Sequence, residues 1–399
     1  MLTYKNKRWL LFLLLTLVAA GTCFPAFRWW SDKKTQAVAD ACRDAITNRD
    51  WDKAQVLADQ WARRTPHDAE AWLNLAEVAR NLGDLEATAE CLGRVPETDR
   101  RFLKTQVLRG DLVLDGLRRP LDACAVWKQM LAVAPNATVA HQRLLYVYSM
   151  TLQRALLIRQ IREAIRQKSE PPEGYGYIIT APNLMFSDGY LKVGQWLEAD
   201  PENEILRVAQ AVFAARTSPS RSVRMFGSGS VQPGDDSAVI ECLADFPDNL
   251  ELKAFLIEKY LADANMQNVG KLLQSLPSTA DSDSRFWRYI GAYRNFQRRP
   301  AEAAEAFRQS LKLHAMDWRT HHELGAVERV LGNAELASKH AGLGNRGKAL
   351  ERKITELPNA AQADSSLLTE MYQYARDCGD LNVANGLAYR LEIPSVQPE

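Results

Sequence analysis

Small and large apolar residues return to the same slots along this chain every 34 residues, most clearly over the adjacent stretches 284–317 and 318–351. The residue pairs that lie 34 positions apart are Ile290 and Leu324, Gly291 and Gly325, Ala303 and Ala337, and Phe307 and Ala341. A fixed period of this length predicts stacked helix-turn-helix units.

The residue types at these slots suit two helices, A and B, that pack closely within one hairpin. Gly291 on helix A and Ala303 on helix B are small enough to let the two backbones approach. Trp287 and Phe307 are large enough to fill the space towards the next hairpin. Gly332 suits the turn, because glycine tolerates the positive φ that ends a helix.

This pattern resembles the tetratricopeptide repeat (TPR), and the likeness extends along most of the chain. Clear further copies lie at 35–68, 69–96, 104–137 and 365–394, and worn copies lie at 138–168 and 239–277. The resemblance implies an all-α solenoid of about eight or nine stacked hairpins that binds other proteins. The alternative is an unrelated helical bundle whose spacing matches by chance.

An uncharged, mostly apolar stretch at residues 9–27 predicts a transmembrane signal anchor. Its 19 residues would span roughly 28 Å as a helix, close to the thickness of the hydrocarbon core. Lys5, Lys7 and Arg8 precede it, which favours a cytoplasmic N-terminus. We therefore expect a single-pass membrane protein with its repeats on the extracytoplasmic side, periplasmic if the source is bacterial.

Two alternatives to the anchor stay open. The small residues Ala19, Ala20 and Gly21 would suit a cleaved signal peptide. Cys23 would suit a lipoprotein, although the residues before it make a poor processing site.

The expected organisation follows from the anchor and from the places where the repeat fails. The segments are a basic N-terminus (1–8), the anchor (9–27), a juxtamembrane linker (28–34), N-terminal repeats (35–168), worn repeats (169–237) with inserts at 170–190 and 217–237, C-terminal repeats (238–394) and a tail (395–399).

Charge and cysteine content narrow the possible partners. The formal net charge is +1 and no long basic run occurs, so we expect no nucleic-acid partner. The six cysteines lack zinc spacing. We expect Cys42, Cys91 and Cys242 to act as small core residues, while disulfide pairing stays open.

Catalytic and metal-binding motifs are scarce. His321, His322 and Glu323 are adjacent, but neighbouring helix residues point about 100° apart, so we expect a solvated helix face there. Residues 227–230 read Gly-Ser-Gly-Ser without a following lysine, which predicts a flexible connector. We expect no enzyme activity, no cofactor and no metal.

The TPR resemblance implies a concave groove lined by the A helices. The residues that would face it in the C-terminal half are Arg285, Arg288, Asn295, Phe296, Arg319, His322 and Arg329. Because an arginine fork binds carboxylates well, we hypothesise that this groove holds an acidic segment or a free C-terminus. The alternative is a merely solvated basic face.

The two inserts provide a second candidate surface. Their aromatic residues are Tyr175, Tyr177, Phe186 and Phe226. Aromatic side chains on loops often anchor partners. The alternative is that they are buried and patch a worn repeat.

Three interpretations of function follow. The first is a non-catalytic, membrane-anchored scaffold that assembles other proteins. The second is a structural subunit of an envelope machine, such as one for cytochrome maturation, secretion, pilus or outer-membrane assembly. The third is an enzyme whose site lies in the inserts.

Overall fold

The computed structural model describes residues 30–182, 184–216 and 236–394, and these form α-helices joined by short connections. No β-strand occurs among them, so the all-α prediction is confirmed. The chain divides between Leu117 and Arg118 into two compact units. The finer repeat boundaries stay a prediction.

The first unit is a stack of helical hairpins. Its helices are α1 (30–47), α2 (Trp51–Arg64), α3 (Ala69–Asn81), α4 (Leu85–Gly93) and α5 (Phe102–Asp111), which continues as a π-helical turn, Leu112–Gly116. Aspartates cap three of these helices, because the side chains of Asp50, Asp68 and Asp84 accept backbone N–H groups in the first turns. Trp61 packs in the core among alanines.

The second unit continues the hairpins from Arg118 onward. Its helices are α6 (Pro120–Val133), α7 (Thr138–Met150), α8 (Arg154–Arg166), α9 (Gly174–Thr180), α10 (Gly189–Leu197), α11 (Glu204–Arg216), α12 (Ser237–Asp245), α13 (Leu250–Ala262), α14 (Met266–Gln274), α15 (Ser284–Phe296), α16 (Pro300–Leu313), α17 (Trp318–Val330), α18 (Ala334–Thr355), α19 (Ser365–Cys378) and α20 (Leu381–Arg390).

The 34-residue period reappears in the backbone angles of the turns between helices A and B. Among the left-handed residues, Arg49, Gly83, Arg118 and Leu152 form one run and Ala264, Arg298 and Gly332 form a second, whereas Gly379 in the turn before α20 lies 47 residues after Gly332. Neighbours within each run are 34 or 35 positions apart. The hairpins are therefore TPR-like in their turns as well as in their apolar slots.

In four hairpins, a ring nitrogen near the start of helix A contacts a backbone carbonyl of the preceding loop. The four residues occupy equivalent positions of the repeat. Trp72 and Trp287 donate to carbonyls six residues earlier, at 2.9 Å in each case. Nε2 of His141 and of His321 lies 2.8 and 2.9 Å from the equivalent carbonyls. Since a carbonyl only accepts, each histidine carries a proton on Nε2. In these four helices the slot holds a ring N–H donor, either tryptophan or histidine.

Residues 239–277 are more than one worn repeat. They contain most of α12 and the complete hairpin of α13 and α14. Helix α12 packs against α11, although residues 217–235 between them lie outside the described residues. The second insert thus lies in sequence between α11 and α12.

Small residues bring α17 and α18 together as the spacing predicted. A Cβ built on Gly325 would lie 2.9 Å from the backbone nitrogen of Ala341 and 3.1 Å from the carbonyl oxygen of Ala337. In the preceding hairpin the ring of Phe307 occupies the space over Gly291, 2.5 Å from where a Cβ would be. The expected close approach of the two backbones is confirmed for α17 and α18, whereas over Gly291 a side chain fills the space.

The substitution Gly325→Ala should therefore destabilise the protein by about 1 kcal/mol. The new methyl must push two backbones apart, which outweighs the gain in helix propensity. The control is Gly342→Ala in α18, where a Cβ would meet nothing within 4 Å. That variant should raise stability by up to about 1 kcal/mol. Urea unfolding measures both, and equal stabilisation of the two variants would refute close packing at Gly325.

The localisation prediction needs correction. Among residues 30–182, 184–216 and 236–394, no helix has the length and apolar character that crossing a membrane requires. This finding contradicts the expected single-pass topology with an extracytoplasmic repeat domain. The segment that suggested it, residues 9–27, lies outside the described residues.

Candidate partner-binding groove

Two arginines predicted to face the groove, Arg285 and Arg288 on α15, are buried and bind carboxylates of the chain itself. Arg285 donates to Glu251 on α13 at 2.6 Å and to Asp283, the N-cap of α15, at 2.8 Å. Glu251 also accepts from Arg154 at the start of α8, at 3.0 Å. One carboxylate is thus shared by two arginines.

The pKa values in this cluster show how strongly the arginines act. Burial alone would raise the pKa of Glu251, but Arg285 and Arg154 outweigh it and lower the pKa to about 2. Burial opposes the charge of Arg285 as well, yet Asp283 and Glu251 raise its pKa well above the ordinary value. The cluster therefore stays ionised throughout the physiological range.

A second shared carboxylate, Glu258, lies about two turns further along α13. It accepts from Arg216 at the end of α11 at 2.9 Å and from the hydroxyl of Tyr289 at 2.8 Å. Arg288 lies 3.5 Å from Glu258 and 3.5 Å from Asp317, the N-cap of α17. These contacts connect the A helices α11, α13, α15 and α17.

The third predicted arginine, Arg319, is partly buried. It pairs with Glu351 on α18 at 3.4 Å and lies over the ring of Trp318 at 4.3 Å. Like Arg285 and Arg288, it is already engaged within the chain.

The remaining predicted groove residues are exposed and lie on α15 and α17. They are Asn295, Phe296, His322 and Arg329. Phe296 is 60% exposed, and Val330, which is not among the predicted groove residues, is 71% exposed. Val330 lies 34 residues after Phe296, so the period itself could have identified it. We call Asn295, Phe296, Arg329 and Val330 the Phe296 strip.

The first insert is largely packed into the second unit. Tyr175 is fully buried, and its hydroxyl donates to Glu170 at 2.9 Å. Tyr177 is partly buried and meets Phe186 edge to face, with ring centroids 5.9 Å apart. Phe226 lies outside the described residues. Whether these aromatic residues contact a partner stays a prediction.

Ion pairs and hydrogen bonds to the backbone hold α8 and the described residues after α9 in place. Arg154 donates to the carbonyls of Ala181 and, at 3.0 Å, Leu184. Arg162 on α8 makes two hydrogen bonds to Asp380 before α20, at 2.8 and 2.6 Å. Helix α9 packs against α18, and α8 packs against α20. The interrupted part of the repeat is therefore covered by later helices of the same unit.

The cysteines behave as core residues, which confirms that expectation for Cys42, Cys91 and Cys242. The described cysteines are free thiols. Burial raises the pKa of Cys91 to about 11 and that of Cys124 to about 12, so these thiols stay protonated near neutral pH.

The expectation of a solvated helix face at His321 is wrong, whereas His322 beside it is exposed. His321 is buried, and its Nδ1 lies 2.9 Å from Nδ1 of His340 on α18. Burial lowers the pKa of His321 to about 4. Within the described residues no group of three His, Cys, Asp or Glu side chains is placed to hold a metal ion.

No protein-family model matches this chain, and neither does any curated protein. Solved structures with a similar fold include the Cut9–Hcn1 hetero-tetramer of the APC/C, with 12% identity over 90% of this chain and 78% of that chain and a TM-score of 0.34. Yeast Tom70 has 15% identity over 90% and 77%, with a TM-score of 0.28. TTC0263, a thermophilic TPR protein of Thermus thermophilus, has 19% identity over 45% and 98%, with a TM-score of 0.23. These likenesses concern the helical-repeat fold alone.

Removing the buried cation in Arg288→Ala should destabilise the protein by about 3 kcal/mol, because it leaves the buried Asp317 and the partly buried Glu258 with one arginine fewer. The matched control is Arg329→Ala on α17, whose side chain is exposed and makes no ion pair among the described residues. That change should stay within about 0.5 kcal/mol. Chemical unfolding distinguishes them, and equal midpoints would contradict a structural role for Arg288.

Acid should destabilise the protein through His321. The folded chain keeps this ring neutral down to about pH 4, whereas the unfolded chain takes up the proton near pH 6.5. The contribution of His321 to the free energy of unfolding should therefore be complete above pH 6.5. It should fall by up to about 1.4 kcal/mol per pH unit as the pH drops from 6.5 towards 4. Thermal unfolding of His321→Gln across this range, with pH 8 as the baseline, should show a shallower fall. An unchanged slope would contradict this assignment.

Proposed function

We propose that this chain is a protein-binding scaffold and that its partner docks on the Phe296 strip. The observation that carries the proposal is the exposure of Phe296 and Val330, at 60% and 71%, at equivalent positions of two successive A helices. Neighbouring packed helices lie about 8–10 Å apart, so one segment can contact both side chains. Large exposed apolar side chains at successive repeat positions favour burial by a partner.

Charge on the strip favours an acidic segment as that partner. Arg329 makes no ion pair among the described residues, and the exposed Arg298 lies two residues beyond Phe296. A guanidinium that is not already engaged can accept a carboxylate without breaking an internal pair. The preferred ligand is therefore a segment that presents apolar side chains next to Asp or Glu.

The buried arginines have a different role in this proposal. Arg285 and Arg288 hold the A helices in position through Glu251, Glu258 and Asp317. They set the spacing at which the strip is presented and do not touch the partner.

Site-specific photocrosslinking at Phe296 in cells that make this protein tests the proposal. A crosslinked partner should be captured from position 296, and the double variant Phe296→Ser, Val330→Ser should weaken its binding at least about tenfold, because exposed aromatic anchors dominate such interfaces. The control is Leu336→Ser on helix B of the same hairpin, where the side chain is 40% exposed. That variant should bind normally.

Salt provides a second arm of the same test. Arg329→Glu should weaken binding most at low ionic strength, since exposed charges are screened at higher salt. Equal binding by wild type and by the strip variants, with each variant folded, would refute docking at this strip.

A further inference from the structure

Glu323 on α17 is an acid without a partner on the inner face of the second unit, which the A helices α11, α13, α15 and α17 form. It lies 34 residues after Tyr289, whose hydroxyl donates to Glu258 on the preceding A helix. The residue 34 positions after Glu258 is Ala292, which has no polar side-chain atom to offer. Among the described residues, Glu323 accordingly makes no hydrogen bond or ion pair.

An ionised Glu323 leaves the charges of the inner face unbalanced. The charged groups that act on it are Arg288 from α15 and Asp317 and Arg319 at the start of α17. Arg319 is engaged with Glu351 on α18. Arg288 is already shared between two other acids, at 3.5 Å from each. The resulting cluster has one acid more than it has cations; its members are Arg216, Arg288, Glu258, Asp317 and Glu323.

A proton can remove this imbalance near neutral pH. Burial raises the pKa of Glu323 to about 7; Arg288 opposes the shift, Asp317 adds to it and Arg319 opposes it. The carboxyl oxygens are not among the unpartnered atoms that are sealed from solvent, so a proton can reach them. The charge of the inner face therefore depends on this one carboxyl between mildly acid and mildly alkaline solution.

The carboxyl also lies close to the Phe296 strip. Val330 follows Glu323 by seven residues on α17, which is two helical turns, so the two side chains share a face about 10 Å apart along the axis. Charges at this separation still interact at low salt, because the Debye length is about 30 Å at 0.01 M. An ionised Glu323 would therefore repel an acidic segment on the strip.

We infer that Glu323 couples docking at the Phe296 strip to pH, because protonation of this carboxyl removes a repulsive charge beside the strip and strengthens the binding of an acidic segment. The inference rests on the proposed docking of such a segment at the strip. It adds a condition under which docking is tightest.

Carbon-13 NMR of the glutamate carboxyl groups in the full chain tests the first step without any partner. The signal that disappears in Glu323→Gln belongs to Glu323, and its midpoint should lie near pH 7. A midpoint near pH 4.5 would overturn the inference, whatever binds to the strip.

The second step needs a probe, for which we choose a fluorescein-labelled synthetic peptide of alternating apolar and aspartate residues. The parent protein carries His322→Gln, which removes the exposed imidazole next to Glu323. At low salt the parent should bind the peptide about two- to fourfold more tightly at pH 6 than at pH 8. Adding Glu323→Gln should give the pH 6 affinity at both pH values. The matched control is Glu335→Gln, an exposed acid on α18, which should keep the pH response of the parent.

The outcomes separate this inference from the docking proposal. If Phe296→Ser, Val330→Ser weakens peptide binding but Glu323→Gln keeps the pH response of the parent, only the coupling to pH is overturned. Weaker binding by Glu323→Gln than by the parent at pH 8 overturns it as well, since the ionised carboxyl would then assist docking. If the parent does not bind the peptide, or the double serine variant binds it equally well, the docking site itself is refuted and the coupling is refuted with it.

Discussion

Carboxylates shared between arginines of successive helices hold the inner face of the second unit together. Glu251 accepts from Arg154 and Arg285, and Glu258 contacts Arg216 and Arg288. A buried charge is tolerated only when it is paired, so each acid fixes the distance between the helices that supply its cations. The apolar residues of the repeat are compatible with several distances between successive hairpins. These ion pairs favour one of those distances.

The same constraint explains why the interrupted stretch is ordered where the structure describes it. Arg154 binds Glu251 and also the carbonyls of Ala181 and Leu184, so the backbone after α9 is part of the charged cluster. Arg162 ties α8 to Asp380, 218 residues later in the chain. The loss of the repeat at 170–190 is thus compensated by contacts that cross the unit.

Much of the fold could be predicted from the sequence, because the repeat is local. The turn at Gly332 and the close approach at Gly325 depend on residues within one 34-residue unit. Ion pairing could not be predicted in this way. The period locates Arg285 and Glu251 on neighbouring A helices, 34 residues apart, but it does not show that their side chains face each other. His321 is a different case, because it lies 34 residues after Trp287 and the period could have placed it in the same partly or fully buried slot, where it also contacts His340 within one unit.

The free energy of binding is expected to favour the exposed Phe296 strip over the buried arginines as the place where a partner docks. An acidic ligand that drew Arg285 away from Glu251 would leave a buried carboxylate with one cation fewer, at a cost of about 3–5 kcal/mol. A new surface ion pair returns at most about 1 kcal/mol. Covering an exposed side chain such as Phe296 breaks nothing within the chain, and full burial of a phenylalanine is worth about 1.5–3 kcal/mol. These energies favour the proposed docking at the exposed C-terminal ends of the A helices, where the apolar surface of Phe296 and Val330 would make the main contribution and Arg329 would add selectivity for acidic segments.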